Sequence, residues 1–113
     1  MHELSLAVEI VQIVETAIAQ NNLQVVDRLR LTVGELASVE KPALDLALST
    51  ALAGTLAENA AIEYIDEPGQ GICQACGATV AVHQYHEACE ACGGFPVKVT
   101  QGQALKVKAI EGY

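Results

Sequence analysis

Two short stretches, CQACG at 73–77 and CEACG at 89–93, constrain this 113-residue chain more than anything else in it. Each is a CxxCG unit, and twelve residues separate Cys76 from Cys89. Within a unit, two thiolates two residues apart can face one ion, and the following glycine permits the positive φ that turns amide N–H groups toward sulfur. Four thiolates in tetrahedral geometry select zinc over harder ions. They also leave no open position for a reacting water, so Cys73, Cys76, Cys89 and Cys92 read as a structural Zn(II) site. A thioredoxin-like redox pair or two disulfides would account for four cysteines, but neither explains two matched knuckles. Between the pairs, His83 and His86 in HQYH offer imidazoles. With four cysteines present they read as a solvated loop, and adjustment of the zinc site is the alternative.

Around this module the hydrophobic pattern is that of a different unit. Residues 70–103 lack continuous apolar periodicity, and about 30 residues bury too little surface to fold alone, so metal binding must stabilise them. Before them, Leu4, Ala7, Val8, Val11, Val14 and Ile18 recur at helical spacing opposite Ser5, Glu9, Gln12 and Thr16, which predicts an amphipathic helix from about residue 3 to 20. Leu6, Ile10, Ile13 and Ala17 widen its apolar face; they read as core, with docking of a partner or a second copy as the other option. After the break at Asn21-Asn22, VVDRLRLTVG alternates Leu29, Leu31 and Val33 against Arg28, Arg30 and Thr32, the period of a half-buried strand. A loop carrying Glu35 and Glu40 follows. Pro42 then sits at the first position of a helix expected to run to about Leu56, with Leu44, Leu48, Ala51 and Leu52 inward. IEYID and, after Gly102, LKVKAI read as two more strands.

The fold class expected is α+β: a small three-stranded sheet with two helices on one face, plus an inserted zinc-ribbon-like domain. The domains expected are 1–69 with 102–113, and 70–101, with the two connections passing close together near Gly69-Gln70 and Gln101-Gly102.

Fourteen acidic residues against six basic ones give a formal charge of −8, which repels phosphate backbones and anionic bilayers, so neither nucleic acid nor a membrane is an expected partner. No 18-residue apolar run and no basic n-region of a signal peptide are present, and a cytoplasmic location is expected. In that reducing setting paired CxxC spacings indicate metal more often than disulfides. No Ser-His-Asp set, phosphate loop or open catalytic metal site appears, so the chain reads as a non-enzyme.

At the other end stands MHEL. Divalent nickel and copper favour square-planar nitrogen coordination. His2 offers its imidazole and its own amide nitrogen, flanked by the Met1 amine and the Glu3 amide. A histidine near a terminus is more commonly only solvated, and Glu3 fits the N-terminal dipole of the helix equally well.

MHELSLA at the start, VGELASVE after the first strand, GTLAENA, two CxxC pairs and a final LKVKAIE together resemble the HypA/HybF family of hydrogenase nickel-incorporation proteins, along the whole length. The resemblance implies a nickel metallochaperone that helps insert nickel into the [NiFe]-hydrogenase large subunit in concert with the GTPase HypB. It implies a nickel domain built on an α/β sheet and a zinc domain whose ligands match the four cysteines. It also implies that transient Ni(II) is held by Met1, His2 and Glu3, through the His2 imidazole and nearby backbone nitrogens. Glu40 occupies the place of an acidic residue that joins them in the family, though it is longer than the aspartate found there in some members. A homodimer is a further option. Two readings of other classes stand beside this one: a zinc-ribbon protein-interaction adaptor without nickel transfer, and a thiol oxidoreductase using one CxxC pair.

Overall fold

The structure, a computed structural model, describes residues 3–113. It falls into two units: one contains the residues up to Thr32, Val39–Ile65 and Lys106–Tyr113, the other Val33–Ser38 and Asp66–Leu105.

In the first unit, helix α1 runs Glu3–Asn21 without a glycine or proline and ends where Asn22 takes φ 53°. It packs against α2, Lys41–Leu52, whose Leu44, Leu48 and Leu52 form one buried ridge at four-residue spacing. The buried stripe of α1 is Leu6, Ala7, Ile10 and Val14. This corrects the expected stripe, since Leu4 and Val8 are exposed, and so is Ile13. Apolar residues occupy well over half of this helix's circumference, so periodicity marks a helix without fixing which arc faces α2.

Helix α2 is also shorter than its pattern suggested. Ala53 leaves helical geometry at ψ 132° and Gly54 turns left-handed at φ 80°, which stops the helix before Leu56 and leaves that leucine exposed. Lys41, rather than Pro42, takes the first helical position, with Glu40 as N-cap.

The sheet places β1 (Val26–Gly34) between β2 (Ala61–Glu67) and β6 (Leu105–Gly112). Leu29, Leu31 and Val33 are buried, as the alternation required. On the opposite face Arg28 and Arg30 reach Glu63 of β2 at 3.4 and 3.5 Å, and Arg30 reaches Glu111 of β6 at 3.2 Å. These half-exposed pairs set cross-strand neighbours more than they add stability. Val25 and Tyr113 exchange both backbone hydrogen bonds, an antiparallel pair that ties down the chain's last residue. The Tyr64 hydroxyl donates to the Asp45 carboxylate, linking β2 to α2, and burial together with that carboxylate pushes the phenol pKa upward.

The second unit has its own sheet, β3 (Gln70–Cys73) between β4 (Thr79–Ala81) and β5 (Val97–Gln101), antiparallel to both. Periodicity had not indicated these strands, because three to five residues are too few for an alternation to register. A short 3-10 turn, Glu35–Ala37, follows β1 and belongs to this unit. It is held by the Leu36 N–H donating to the Gly102 carbonyl at 2.8 Å, and Leu36 and Ala37 are buried. Here three backbones meet without side chains between them. A Cβ on Gly69 would run into the Val82 carbonyl oxygen, one on Gly34 into the Gly102 carbonyl, and one on Gly102 would lie 2.7 Å from the Gly69 Cα.

Candidate metal centre

Cys73 ends β3, and Cys76 closes the tight turn that leads toward β4; Cys89 and Cys92 form the matching turn ahead of β5. In both turns the glycine after the second cysteine has positive φ, 75° at Gly77 and 74° at Gly93, and its N–H donates back to the first cysteine's carbonyl, at 2.8 and 2.7 Å. The sequence repeat is therefore a structural repeat. Each turn aims amides at sulfur: the Ala75 and Cys76 N–H groups approach Cys73 Sγ at 3.4 and 3.5 Å, Ala91 approaches Cys89 at 3.4 Å, and Gly94 approaches Cys92 at 3.3 Å.

The two turns bring all four sulfurs within 4.8 Å of one another, with Cys73 to Cys92 at 3.7 Å and Cys76 to Cys89 at 3.9 Å. No disulfide joins them. A tetrahedral ion with metal–sulfur bonds of about 2.3 Å needs sulfurs about 3.8 Å apart, so this donor set fits zinc in size as well as softness. The first cysteine of each pair is buried and the second exposed, so the cluster lies at the edge of its small core with Val80.

The thiols do not share one acidity. The Cys76 and Ala75 amides draw the Cys73 thiol down to about 7. At Cys92 the Gly94 amide also favours the thiolate, but the neighbouring Cys73 and Cys76 sulfurs and burial outweigh it and push the thiol up to about 12. Four thiolates this close repel one another, and a dication is the natural counter-charge.

Among the described residues, these cysteines form the only group of three or more metal-ligating side chains that can meet at one point. Glu3 lies in the first turn of α1. Glu40 is exposed, and its side chain makes no capping bond. Met1 and His2, the centre of the expected nickel site, lie outside the described residues.

His83 and His86 stay out of the cysteine cluster. His83 Nδ1 instead lies 2.8 Å from Glu35 Oε2, while Glu35 Oε1 accepts the Gly69 N–H at 2.9 Å. No local signal could have revealed this pair, since 48 residues separate its members. The Gly69 amide and then His83 hold the Glu35 carboxyl below its ordinary value, while Glu35, reinforced by Glu87 and Glu90, raises the His83 pKa. A raised histidine contributes stability fully present below its unfolded value of about 6.5 and lost as pH rises through the folded value; a lowered carboxyl contributes above about 4.3 and loses it on acidification. The pair should thus be strongest in mildly acidic solution. Following the His83 ring protons by NMR should give a midpoint above that of a free histidine, returning toward it in Glu35→Gln. An unshifted midpoint in the unmodified protein would contradict the pairing.

The comparisons agree with this architecture. A family model described as hydrogenase/urease nickel incorporation, metallochaperone, HypA matches residues 1–112. Hydrogenase maturation factor HypA of Rhodobacter capsulatus is 41% identical over 111 residues, covering 98% of each chain. Its counterpart from Azotobacter chroococcum mcd 1 is 40% identical over the same length, again covering 98% of each. The solution structure of the Ni metallochaperone HypA from Helicobacter pylori superposes with a TM-score of 0.76 at 23% identity, covering 99% of this chain and 97% of that one, a likeness of fold. With two helices, two small sheets and a four-cysteine cluster, and matched by the family model over residues 1–112, the chain belongs to the HypA family of nickel-incorporation metallochaperones that serve hydrogenase maturation.

Proposed function

We propose that this protein binds Ni(II) at its N-terminus and assists nickel insertion into the large subunit of [NiFe]-hydrogenase, acting as a carrier and not as an enzyme. What supports this reading is the whole-chain family membership together with MHE at the start of the sequence. The His2 imidazole, the His2 amide nitrogen, the Met1 amine and the Glu3 amide nitrogen can together supply the four donors of a square plane within one short stretch of backbone. Glu40, an exposed carboxylate at the start of α2, is the further candidate ligand. A carrier needs affinity that excludes stray ligands yet lets the ion go, and a chain end can wrap and unwrap a metal at low barrier.

In this reading the four cysteines hold Zn(II) as a structural ion, which supplies the cross-link that a unit with so small a core lacks. The partners are a HypB-type GTPase, which would perform any nucleotide hydrolysis, and the hydrogenase large subunit. A homodimer is also proposed, and the setting is the cytoplasm. No described helix is long and apolar enough to cross a membrane.

Nickel ligation through backbone amides displaces protons, so affinity should fall as pH drops. Isothermal titration of the untagged protein with Ni(II) at two pH values tests this. Weaker binding at the lower pH is expected, and equal affinity at both would exclude amide ligation.

A further inference from the structure

The two cysteine turns are supported differently. The first is built into the sheet: the Cys73 N–H donates to the Ala78 carbonyl at 3.0 Å and the Gln74 N–H to the Pro96 carbonyl at 2.9 Å, with Cys73 itself part of β3. The second follows a stretch with no regular structure after β4, and its backbone bonds, Cys89 N–H to Gly94 and Gly93 N–H to Cys89, are internal to the turn. The first residue of that stretch, the buried Val82, donates its N–H to the Gly69 carbonyl at 3.0 Å, and beyond it the stretch is tied down by a set of carboxylates. The His83 and Gln84 N–H groups both donate to Glu87 Oε2 at 3.1 Å, and the Ala81 N–H donates to Glu90 Oε1 at 3.3 Å. Glu87 and Glu90 bracket Cys89 in sequence, so these bonds set where the second turn begins.

The stretch is anchored in turn from outside the segment that encodes it. The His83 ring is held by Glu35 at 2.8 Å, and Glu35 is fixed through the Gly69 N–H at 2.9 Å on the turn that follows β1. That turn is itself pinned by Leu36 to Gly102 and packed where no Cβ fits. A rigid base, one charge-assisted bond and a carboxylate-stapled loop therefore lead in sequence to Cys89 and Cys92.

We propose that Glu35 is a positioning residue for the metal centre: acting through His83 and the Glu87 and Glu90 staples, it holds the second cysteine pair in place and slows loss of zinc from that side. The proposal rests on the reading that the four cysteines hold zinc. It adds that retention is governed from the turn after β1, a part of the sequence remote from all four cysteines.

The test uses the untagged full-length protein loaded with zinc, beside Glu35→Gln, His83→Ala and the double variant. Glutamine keeps an acceptor for the Gly69 amide and removes the charge facing His83. Zinc release to a chromophoric chelator and the order of cysteine alkylation by mass spectrometry are followed together. The expected result is release about threefold to tenfold faster in either single variant, as for loss of one charge-assisted bond at a surface. Cys89 and Cys92 should be alkylated ahead of Cys73 and Cys76, and the double variant should be no faster than the singles. Unchanged release, equal acceleration at all four cysteines, or additive effects of the two substitutions would overturn the proposal. Absence of stoichiometric zinc from the unmodified protein would overturn the zinc reading itself, and is seen before any variant is compared.

Discussion

His2→Ala should abolish specific Ni(II) binding, weakening it by more than about a hundredfold, while zinc content and the far-ultraviolet circular dichroism stay near those of the unmodified protein. The size of the effect follows from the ligand set. Removing one imidazole from a square-planar site takes away its strongest neutral donor, and loss even of a group that merely orients a ligand costs about ten- to a hundredfold in metal affinity. The selectivity follows from position. The buried stripe Leu6, Ala7, Ile10 and Val14 that fixes α1 against α2 does not include His2. Titration with nickel and metal analysis of both proteins make the measurement. Retention of tight nickel binding in the variant would move the site elsewhere, to the cysteines or to the imidazoles of HQYH, and would remove the N-terminal reading.

Cys73→Ser should lose zinc and unfold the second unit first. Cys73 is fully buried, and its sulfur receives the Ala75 and Cys76 amides while lying 3.7 Å from Cys92. A serine hydroxyl there is a harder, shorter donor that cannot complete a tetrahedral thiolate set. The alternative stabilisation is small, because among the described residues the buried hydrophobic cluster around the site is Cys73, Val80 and Cys89, with Ala78 and Val97 packed against it. Structural zinc contributes on the order of 10 kcal/mol to folding in small domains, far more than such a core supplies. Hydrogen exchange should therefore rise across residues 70–103 while the amides of α1, α2 and β1 stay protected. Intact zinc content in this variant would remove Cys73 from the ligand set. Uniform exchange across both units would show instead that the two unfold together.

Much of the architecture could be read from local pattern. The helix before Asn21, the alternating strand that buries Leu29, Leu31 and Val33, and the matched CxxCG turns each depend on residues within a few positions of one another, where periodicity and glycine φ carry the information. The readings that needed correction share one physical origin. Which arc of α1 is buried depends on where α2 packs, and an apolar surplus such as Leu4, Val8 and Ile13 lets several arcs look equally good. The end of α2 hinged on whether Gly54 would be tolerated inside the helix or used to leave it, a balance of about 1 kcal/mol that local propensity does not settle. Strands β3, β4 and β5 are too short to show alternation, and their pairing depends on the cysteine turns that bring them side by side.

The sequence by itself determined that four cysteines in two glycine-closed pairs would face a single point, because both the chelating spacing and the turn are encoded within five residues. It likewise determined the class of the chain, since MHE, VGELASVE and the paired cysteines occur in one order along a length that the family model matches from end to end. Only the tertiary structure decided that the turn after β1 belongs with the cysteine-bearing unit, and that Glu35 is joined to His83 and Gly69. Those partners lie 48 and 34 residues away. A hydrogen bond across such a separation leaves no periodic trace in the chain; it sits where Gly34, Gly69 and Gly102 let three backbones approach too closely for a Cβ between them.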